Sequence, residues 1–210
     1  MNIFQFLSQN HVEILELTLE HLWLVGISTL IAAAIGIPMG ILIAHRPILN
    51  KPVLGVANIA QTIPSLALFG FLLPLPWLGN RAGRLAIFAL TLYALLPMVR
   101  NTYAGIRGVD RAVLEAGRAM GLTDRQLLFQ VELPLALSVI LSGVRVAVVI
   151  SVGTATIAAA IGAGGLGELI FRGLAMVNNQ LILAGAVPAA LLALLADFTL
   201  GRLEKRLQPR

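Results

Sequence analysis

Long uncharged apolar runs constrain this chain more than any other feature of its sequence. They extend over residues 22–44, 52–80, 146–167 and 173–196. Each is as long as the roughly 20 apolar residues that a helix needs to cross the hydrocarbon core of a bilayer. A shorter run, 85–99, can also span if its helix continues past Arg100, whose guanidinium can reach the headgroups. The runs therefore predict an all-α membrane protein with five transmembrane helices.

Composition agrees with this class and helps to set the helix limits. Hydrophobic residues make up 58% of the chain and charged residues 12%, and the mean hydropathy is +0.90. Soluble domains carry roughly 25% charged residues. Starting the fourth helix at Pro134 encloses Arg145 within it. We expect one domain over residues 1–210, with helices at about 22–45, 53–78, 84–105, 134–161 and 180–201 and a loop at 106–133.

The basic residues predict the orientation in the membrane. The segment before the first run holds Glu13, Glu16 and Glu20 and no lysine or arginine, so it is expected outside. Five spans then place eleven bases inside: Arg46, Lys51, Arg100, Arg107, Arg111, Arg118, Arg125, Arg202, Lys205, Arg206 and Arg210. Three lie outside: Arg81, Arg84 and Arg172. This asymmetry predicts an outer N-terminus, an inner C-terminus and an inner 106–133 loop.

The same charge pattern argues against a nucleic-acid partner. The isoelectric point is about 10.7, but the bases flank the apolar runs and alternate with acids such as Asp110 and Glu115. Membrane topology explains such a distribution better than a nucleic-acid surface does.

The sequence contains no recognisable enzyme signature. It has neither a His-Glu-x-x-His motif nor a glycine-rich phosphate loop ending in Lys-Ser/Thr, and its three histidines lie far apart. The glycine cluster 162–167 follows an apolar run rather than a strand, so it predicts a turn at the outer end of the fourth helix. We therefore expect no catalytic residue, no metal site and no cofactor bound by this chain.

Residues 110–134 predict a helix, a sharp turn and a second helix. Asp110 can cap a helix whose Ala112, Ala116 and Ala119 leave one face bare, open to close approach by another protein. Gly121 suits a left-handed helix terminus. Thr123, followed three residues later by a glutamine, indicates a capping box. Pro134 is expected to mark the entry into the next apolar helix.

The stretch EAGRAMGLTDRQLLFQVELP, residues 115–134, resembles the cytoplasmic coupling loop of ABC-importer permeases. Gly117 stands where that pattern has a second alanine, and Val131 where it has isoleucine. The resemblance implies that the ATPase subunit is contacted by Glu115, Ala116, Gly117, Ala119, Met120, Gly121 and Leu122.

Three further stretches narrow the resemblance: QTIPSLALFGFL from 61, LYALLPMVRNTYAGIRGVD ending at 110, and GTATIAAAIGAGGLGELIF from 153. They are similar to permeases of osmoprotectant importers for glycine betaine, choline or carnitine. This implies a type I importer core like that of methionine importers, in a bacterial plasma (inner) membrane. The implied partners are cytoplasmic ABC ATPases that carry ATP and Mg, an extracytoplasmic solute-binding protein, a second permease subunit (identical or paralogous) and lipid. Methionine or small-amine import, and channel-like flux, are the alternatives.

Polar or helix-breaking residues inside the runs are candidates for the translocation path: Gln61, Thr62, Pro64, Ser65, Arg145, Thr154 and Thr156. A proline frees a carbonyl that can line a path, and a charge within a span should face protein or water. Other interpretations remain open. Prolines are common in membrane helices, hydroxyls can bond their own backbone, and Arg145 could reach headgroups or an acid. Asp197 is interpreted as the partner of a nearby base, and the Gly36–Gly40 face as a packing surface.

Overall fold

Helices are the only regular elements in the described part of the computed structural model, residues 8–79 and 81–207. We number them α1 His11–His45, α2 Pro47–Thr62, α3 Ser65–Leu72, α4 Ala82–Arg107, α5 Arg111–Ala119, α6 Asp124–Leu127, α7 Leu133–Ala158, α8 Gly167–Ala175 and α9 Asn179–Arg206. A π-helical segment, Leu128–Glu132, joins α6 to α7, and a 3-10 turn, Ala159–Ile161, follows α7. The described residues do not include 1–7, 80 and 208–210. Both ends of the predicted domain, Asn80 at the end of the second apolar run and the predicted inner base Arg210 therefore lie outside them.

Among the described residues, four helical stretches are long and apolar enough to cross a bilayer: α1, α4, residues 124–161 and α9. The helices α2 and α3 together would make a fifth span, but they are bent by 98°. The prediction of one continuous helix at 53–78 is therefore wrong. Ile63 has an extended backbone (φ −69°, ψ 127°), because a helical conformation would clash with the ring of the following Pro64. Helix α3 begins after the proline.

Helix α1 begins at His11, well before the predicted start at 22. Two of the three acids before that predicted start have partners in distant parts of the chain. The Glu13 carboxylate lies 2.5 Å from the Arg172 guanidinium, and Glu20 accepts a hydrogen bond of 3.0 Å from the Gly165 N–H. These contacts stabilise the two acids within the helix.

Helix α7 begins at Leu133, within one residue of the start predicted at Pro134, but the proline does not separate this helix from the preceding part of the loop. Residues 124–161 form one continuous helical stretch. Proline has no N–H to donate, and the helix widens into the π segment just before it, where the Leu133 N–H bonds the Leu128 carbonyl. The first turn of α7 then accepts Pro134 without a break.

The core lies between α1, α4 and α7. Helix α4 contributes Leu85, Ala89 and Leu90, all fully buried, to a cluster that includes residues of α1, α3 and α7. Glycines allow α1 to approach α4 closely. A Cβ atom on Gly36 would stand 2.8 Å from Met98 Cβ, and one on Gly40 would stand 2.5 Å from Thr102 Cβ. The predicted packing role of this glycine face is confirmed.

The segment between α7 and α9 holds more structure than the short loop that the sequence predicts. Gly162, Gly164 and Gly165 have positive φ, which confirms the predicted turn. Helix α8 follows at Gly167, where a Cβ atom would stand 1.9 Å from the Thr156 carbonyl oxygen. Helix α8 then packs on α9 around Leu166, Leu169 and Leu181. Helix α9 begins near its predicted start and continues to Arg206, past the expected end at 201.

Candidate coupling surface and path residues

The coupling segment, residues 110–127, begins with the capped helix that its sequence predicts. The Asp110 carboxylate accepts a hydrogen bond of 2.9 Å from the Ala112 N–H. Ala112, Ala116 and Ala119 are all exposed on α5, so the bare face exists. Contact of this face with an ATPase remains a prediction.

The turn after α5 has the left-handed geometry expected of Gly121. Its φ is +85°, and the Leu122 N–H reaches back 3.1 Å to the Gly117 carbonyl, as in a Schellman-type helix end. A Cβ atom on Gly121 would meet nothing within 4 Å. Backbone conformation, rather than lack of space, is therefore what requires glycine here.

Gly117 differs from the other predicted coupling residues because it is buried. A Cβ atom there would stand 2.7 Å from Leu127 Cδ2 and 3.2 Å from Leu122 Cδ1. The missing side chain lets α6 pack against α5. Gly117 thus shapes the coupling segment from within, and the residues around it form the surface.

The second helix of the segment opens with the predicted capping box. The Thr123 N–H donates to Gln126 Oε1 at 2.8 Å, and the Gln126 N–H donates to Thr123 Oγ1 at 3.4 Å. This cap fixes the start of α6, which leads without interruption into the π segment and α7. The second helix of the coupling segment is therefore continuous with a helical stretch long enough to span a bilayer.

The solvent-facing surface of the segment exposes apolar as well as charged residues. Met120 is 76% exposed, and Glu115 and Arg118 are exposed too; Phe129, 58% exposed, follows directly after the segment, in the π segment. Exposed apolar side chains rimmed by polar groups are characteristic of protein contact sites. Glu115, Ala116, Ala119, Met120 and Gly121 are exposed and Leu122 is half-buried.

A cavity of about 460 Å³ separates the coupling segment from the ends of α1 and α4. Arg107, Arg111, Glu115 and Arg118 line it. At its wall, His45 Nε2 lies 3.0 Å from Glu132 Oε2, so the end of α1 and the π segment meet there. Sequence reasoning missed this pair, because nothing in either local sequence indicates that the two segments meet.

The structure brings four predicted path residues together at the break between α2 and α3. The Gln61 side-chain amide donates to the Tyr93 carbonyl at 3.3 Å, and the Thr62 hydroxyl donates to the Ile59 carbonyl at 2.8 Å. Pro64 precedes the first residue of α3, Ser65. Thr62 and Pro64 are exposed in the single chain, whereas Gln61 and Ser65 are half-buried.

Arg145 has acidic partners on α9. Its Nε donates to Asp197 Oδ1 at 2.6 Å and its Nη2 to Oδ2 at 2.9 Å, a two-pronged contact, and Glu204 Oε2 lies 3.4 Å from Nη1. Gly201 provides the room, since a Cβ atom there would stand 3.1 Å from Arg145 Cζ. The prediction that Asp197 pairs with a nearby base is confirmed.

The two threonines of α7 bond their own helix. Thr154 Oγ1 donates to the Ile150 carbonyl at 2.9 Å and Thr156 Oγ1 to the Gly153 carbonyl at 2.7 Å. This is the alternative that the sequence left open for them. A path role for them, for Arg145 and for the residues at the break stays a prediction.

Tyr93 is a candidate functional residue that sequence reasoning missed. Its hydroxyl donates to the Ile63 carbonyl, at the break. The sequence does hold one indication of its role. Pro97, four residues further along α4, has no N–H to donate, so the Tyr93 carbonyl needs another donor. Within residues 8–79 and 81–207, no group of histidine, cysteine or acidic side chains could hold a metal ion.

Comparison with known proteins places this chain among transport permeases. A family model described as "binding-protein-dependent transport system inner membrane component" matches residues 36–209. The glycine betaine/carnitine/choline transport system permease protein OpuCD of Bacillus subtilis is 46% identical over 97% of this chain and 88% of its own length. The carnitine transport permease protein OpuCB of Listeria monocytogenes is 43% identical over 99% and 94%. The osmoprotectant import permease protein OsmW of Salmonella typhimurium is 43% identical over 100% and 99%.

A solved structure shares the fold. An inward-facing conformation of the MetNI methionine ABC transporter aligns with a TM-score of 0.82 and 25% sequence identity, covering 90% of this chain and 94% of the matched chain. The expected fold class, an all-helical membrane protein similar to the permease of a type I importer, is thereby supported.

Proposed function

Because the chain belongs to the family of binding-protein-dependent transport system inner membrane components, we propose that it is the membrane permease subunit of an ATP-driven importer for quaternary-amine osmoprotectants. Its cargo is glycine betaine, choline, carnitine or a related solute. The chain itself carries out no chemical reaction. It provides the path and converts the movement of its ATPase partners into opening and closing of that path.

The observation that carries this proposal is the near-complete match to osmoprotectant permeases. OpuCD and OsmW are 46% and 43% identical to this chain over 97% and 100% of its length. The match therefore includes the helices and the coupling segment together.

The coupling segment supports the proposed link to an ATPase. Its exposed residues Glu115, Ala116, Ala119, Met120 and Gly121 would contact the ATPase surface, and the buried Gly117 would hold the two helices of the segment together. Leu122, half-buried in the turn, would be partly covered by the partner. ATP and Mg would bind to that partner.

We place the N-terminus outside and the C-terminus inside, in a bacterial inner membrane. The excess of arginine and lysine on the side of the coupling segment supports this orientation. It places the coupling segment in the cytoplasm, where ATP is available. Helix α8 and the glycine turn would then face a solute-binding protein on the other side.

A second permease subunit, identical or paralogous, would complete the path. Thr62 and Pro64 are exposed at the break between α2 and α3. Irregular backbone at membrane depth is tolerated only where protein covers it or where it lines a water-filled cavity. In a pair of subunits, the two breaks could line such a cavity, and Gln61, Thr62, Pro64 and Ser65 would then lie beside the moving solute.

Methionine or another small amine is the second candidate cargo. The structural likeness to the MetNI transporter favours it, with a TM-score of 0.82. The sequence identity there is only 25%, against 46% with OpuCD, so the osmoprotectant class has the stronger support.

Uptake into vesicles separates these candidates. The permease is reconstituted with its ATPase and binding protein, and labelled glycine betaine, choline, carnitine and methionine are supplied singly and in competition. We expect ATP-dependent accumulation of at least one quaternary amine and no competition from methionine. Accumulation of methionine alone would show that methionine, not a quaternary amine, is the cargo, and the chain would still be an importer permease.

A further inference from the structure

Helix α2 is attached to the rest of the bundle in an unusual way. None of its sixteen residues, Pro47–Thr62, is buried. Val56 is 70% exposed and Ile59 64% exposed. Between α2 and the neighbouring α1 and α4 lies an apolar groove of about 330 Å³, lined by residues such as Met39, Ala57 and Leu95. Helix α2 therefore stands away from the core rather than packing into it.

Polar contacts, rather than apolar burial, tie α2 to α4. The Asn50 side-chain amide donates to the Tyr103 hydroxyl at 2.8 Å, and the Arg100 guanidinium donates to Asn58 Oδ1 at 3.2 Å. Where water can replace a partner, as at the headgroups that Arg100 is expected to reach, such bonds contribute little net stability. Helix α2 therefore lacks the buried apolar contacts that hold α3 in place.

Helix α3, on the other side of the break, is anchored firmly. Phe69 is fully buried and Leu68 nearly so, and both belong to the main core cluster. Tyr93 of α4 belongs to the same cluster and is 6% exposed. The break between a loosely held helix and an anchored one therefore lies directly against Tyr93.

Two hydrogen bonds in opposite directions join Tyr93 to the break. The Tyr93 hydroxyl donates to the carbonyl of Ile63, the residue between the two helices. The Gln61 side-chain amide donates to the Tyr93 carbonyl, which Pro97 cannot satisfy because it has no N–H. The Tyr93 carbonyl lacks a helical donor because of Pro97, and the Ile63 carbonyl lacks one because Ile63 is extended between the two helices. Together they set the direction in which α2 leaves the break.

We propose that Tyr93 is the positioning residue of the break, and that α2 turns about Ile63–Pro64 over the apolar groove during transport while this pair of hydrogen bonds holds the pivot in place. The inference rests on the proposed function and deepens it. The path residues Thr62 and Ser65 flank the pivot, so their position relative to the solute depends on Tyr93.

The test uses the complete transporter in vesicles and compares two variants of α4. Tyr93→Phe removes the hydroxyl and keeps the buried ring. Thr91→Val is the matched control, because it removes another buried hydroxyl of α4, one that bonds Ile87 and Ser28 carbonyls away from the break. Ala57→Cys reports on the groove, since Ala57 lines it and the chain contains no natural cysteine.

Labelling of this cysteine by a maleimide is followed on the permease chain by mass spectrometry, in nucleotide-free and vanadate-trapped complexes. We expect the labelling rate of the otherwise wild-type chain to differ between the two states. Tyr93→Phe should reduce both the difference in labelling rate and the rate of solute uptake about fivefold, which is the effect of one lost hydrogen bond. ATP hydrolysis should continue. Thr91→Val should change neither.

The proposal is overturned if Tyr93→Phe matches Thr91→Val in both measurements, or if the labelling rate of the wild-type background is the same in both states. If Tyr93→Phe fails to insert, Gln61→Met takes its place with the same expected results, because it keeps a similar side-chain length, adds no charge and removes the donating amide. Absence of quaternary-amine uptake by the wild-type complex would instead overturn the proposed function. The two failures are thereby distinguishable.

Discussion

Gly117 of α5 lies so close to Leu127 of α6 that a Cβ atom on the glycine would stand 2.7 Å from Leu127 Cδ2. The two helices of the coupling segment are held together at this point. Leu127 is 3% exposed, so its side chain fills the space that the glycine leaves. The surface offered to a partner depends on this contact, although neither residue is prominent on that surface.

Replacing Gly117 by valine should therefore disrupt the segment. Overpacking of a close contact typically costs about 1–3 kcal/mol, and here the strain would separate α5 from α6. We expect normal membrane insertion but weaker copurification of the ATPase. Gly153→Val is the control, because a Cβ atom on that helical glycine meets nothing within 4 Å. Equal ATPase recovery with both variants would contradict this role of Gly117.

Gly121 should be sensitive for a different reason. Its φ of +85° disfavours any residue with a Cβ atom, although the space around it is open. Gly121→Ala should destabilise the turn by about 1 kcal/mol, and Gly121→Asn should cost less, because asparagine tolerates the left-handed region better. Uptake rates should follow the order Gly, Asn, Ala. An alanine variant that transports as well as the asparagine variant would show that turn geometry is not limiting.

A charge placed on the bare alanine face should uncouple the transporter. Ala116 is exposed and lies beside Glu115 on α5, so Ala116→Glu should repel or displace the ATPase surface while leaving the permease inserted. We expect solute uptake to be lost while the ATPase still hydrolyses ATP. Gln130→Glu adds the same charge at an exposed position outside the segment and should have little effect. Preserved uptake in Ala116→Glu would remove this face from the coupling surface.

The ion pair between α7 and α9 should contribute to stability. Arg145→Met would leave Asp197 and Glu204 without their cation. Removing one partner of a deeply buried pair is strongly destabilising, but this pair is partly open to its surroundings, so a smaller loss is expected. The melting temperature of the purified permease should fall, and adding Asp197→Asn should restore part of it. If the double variant is less stable than Arg145→Met alone, Asp197 has another partner.

The main helices could be predicted because long apolar runs within their own sequences indicate them. The run around α9 is uncharged and uninterrupted, and the helix begins within one residue of its predicted start. The early start of α1 could not be predicted. Glu20 and Glu13 are satisfied by Gly165 and Arg172, which lie 145 and 159 residues away along the chain.

Two prolines also show that local sequence does not determine where a helix is interrupted. Pro64 separates two helices bent by 98°, whereas Pro134 lies in the first turn of α7 within a continuous helical stretch. The difference arises from the surroundings. Tyr93 satisfies the carbonyl freed at the first break, and the π segment accommodates the second proline. Local sequence gives the capping box of Thr123 correctly, because both of its partners are three residues apart.

We propose that this chain couples uphill movement of a quaternary amine to ATP hydrolysis by a partner subunit. Simultaneous measurement of internal glycine betaine and of ATP hydrolysed, in vesicles containing the complete transporter, tests this coupling. We predict that the internal concentration rises above the external one only with ATP, and that vanadate stops both uptake and hydrolysis. Equilibration of glycine betaine that needs no ATP and is insensitive to vanadate would instead identify the chain as part of a channel.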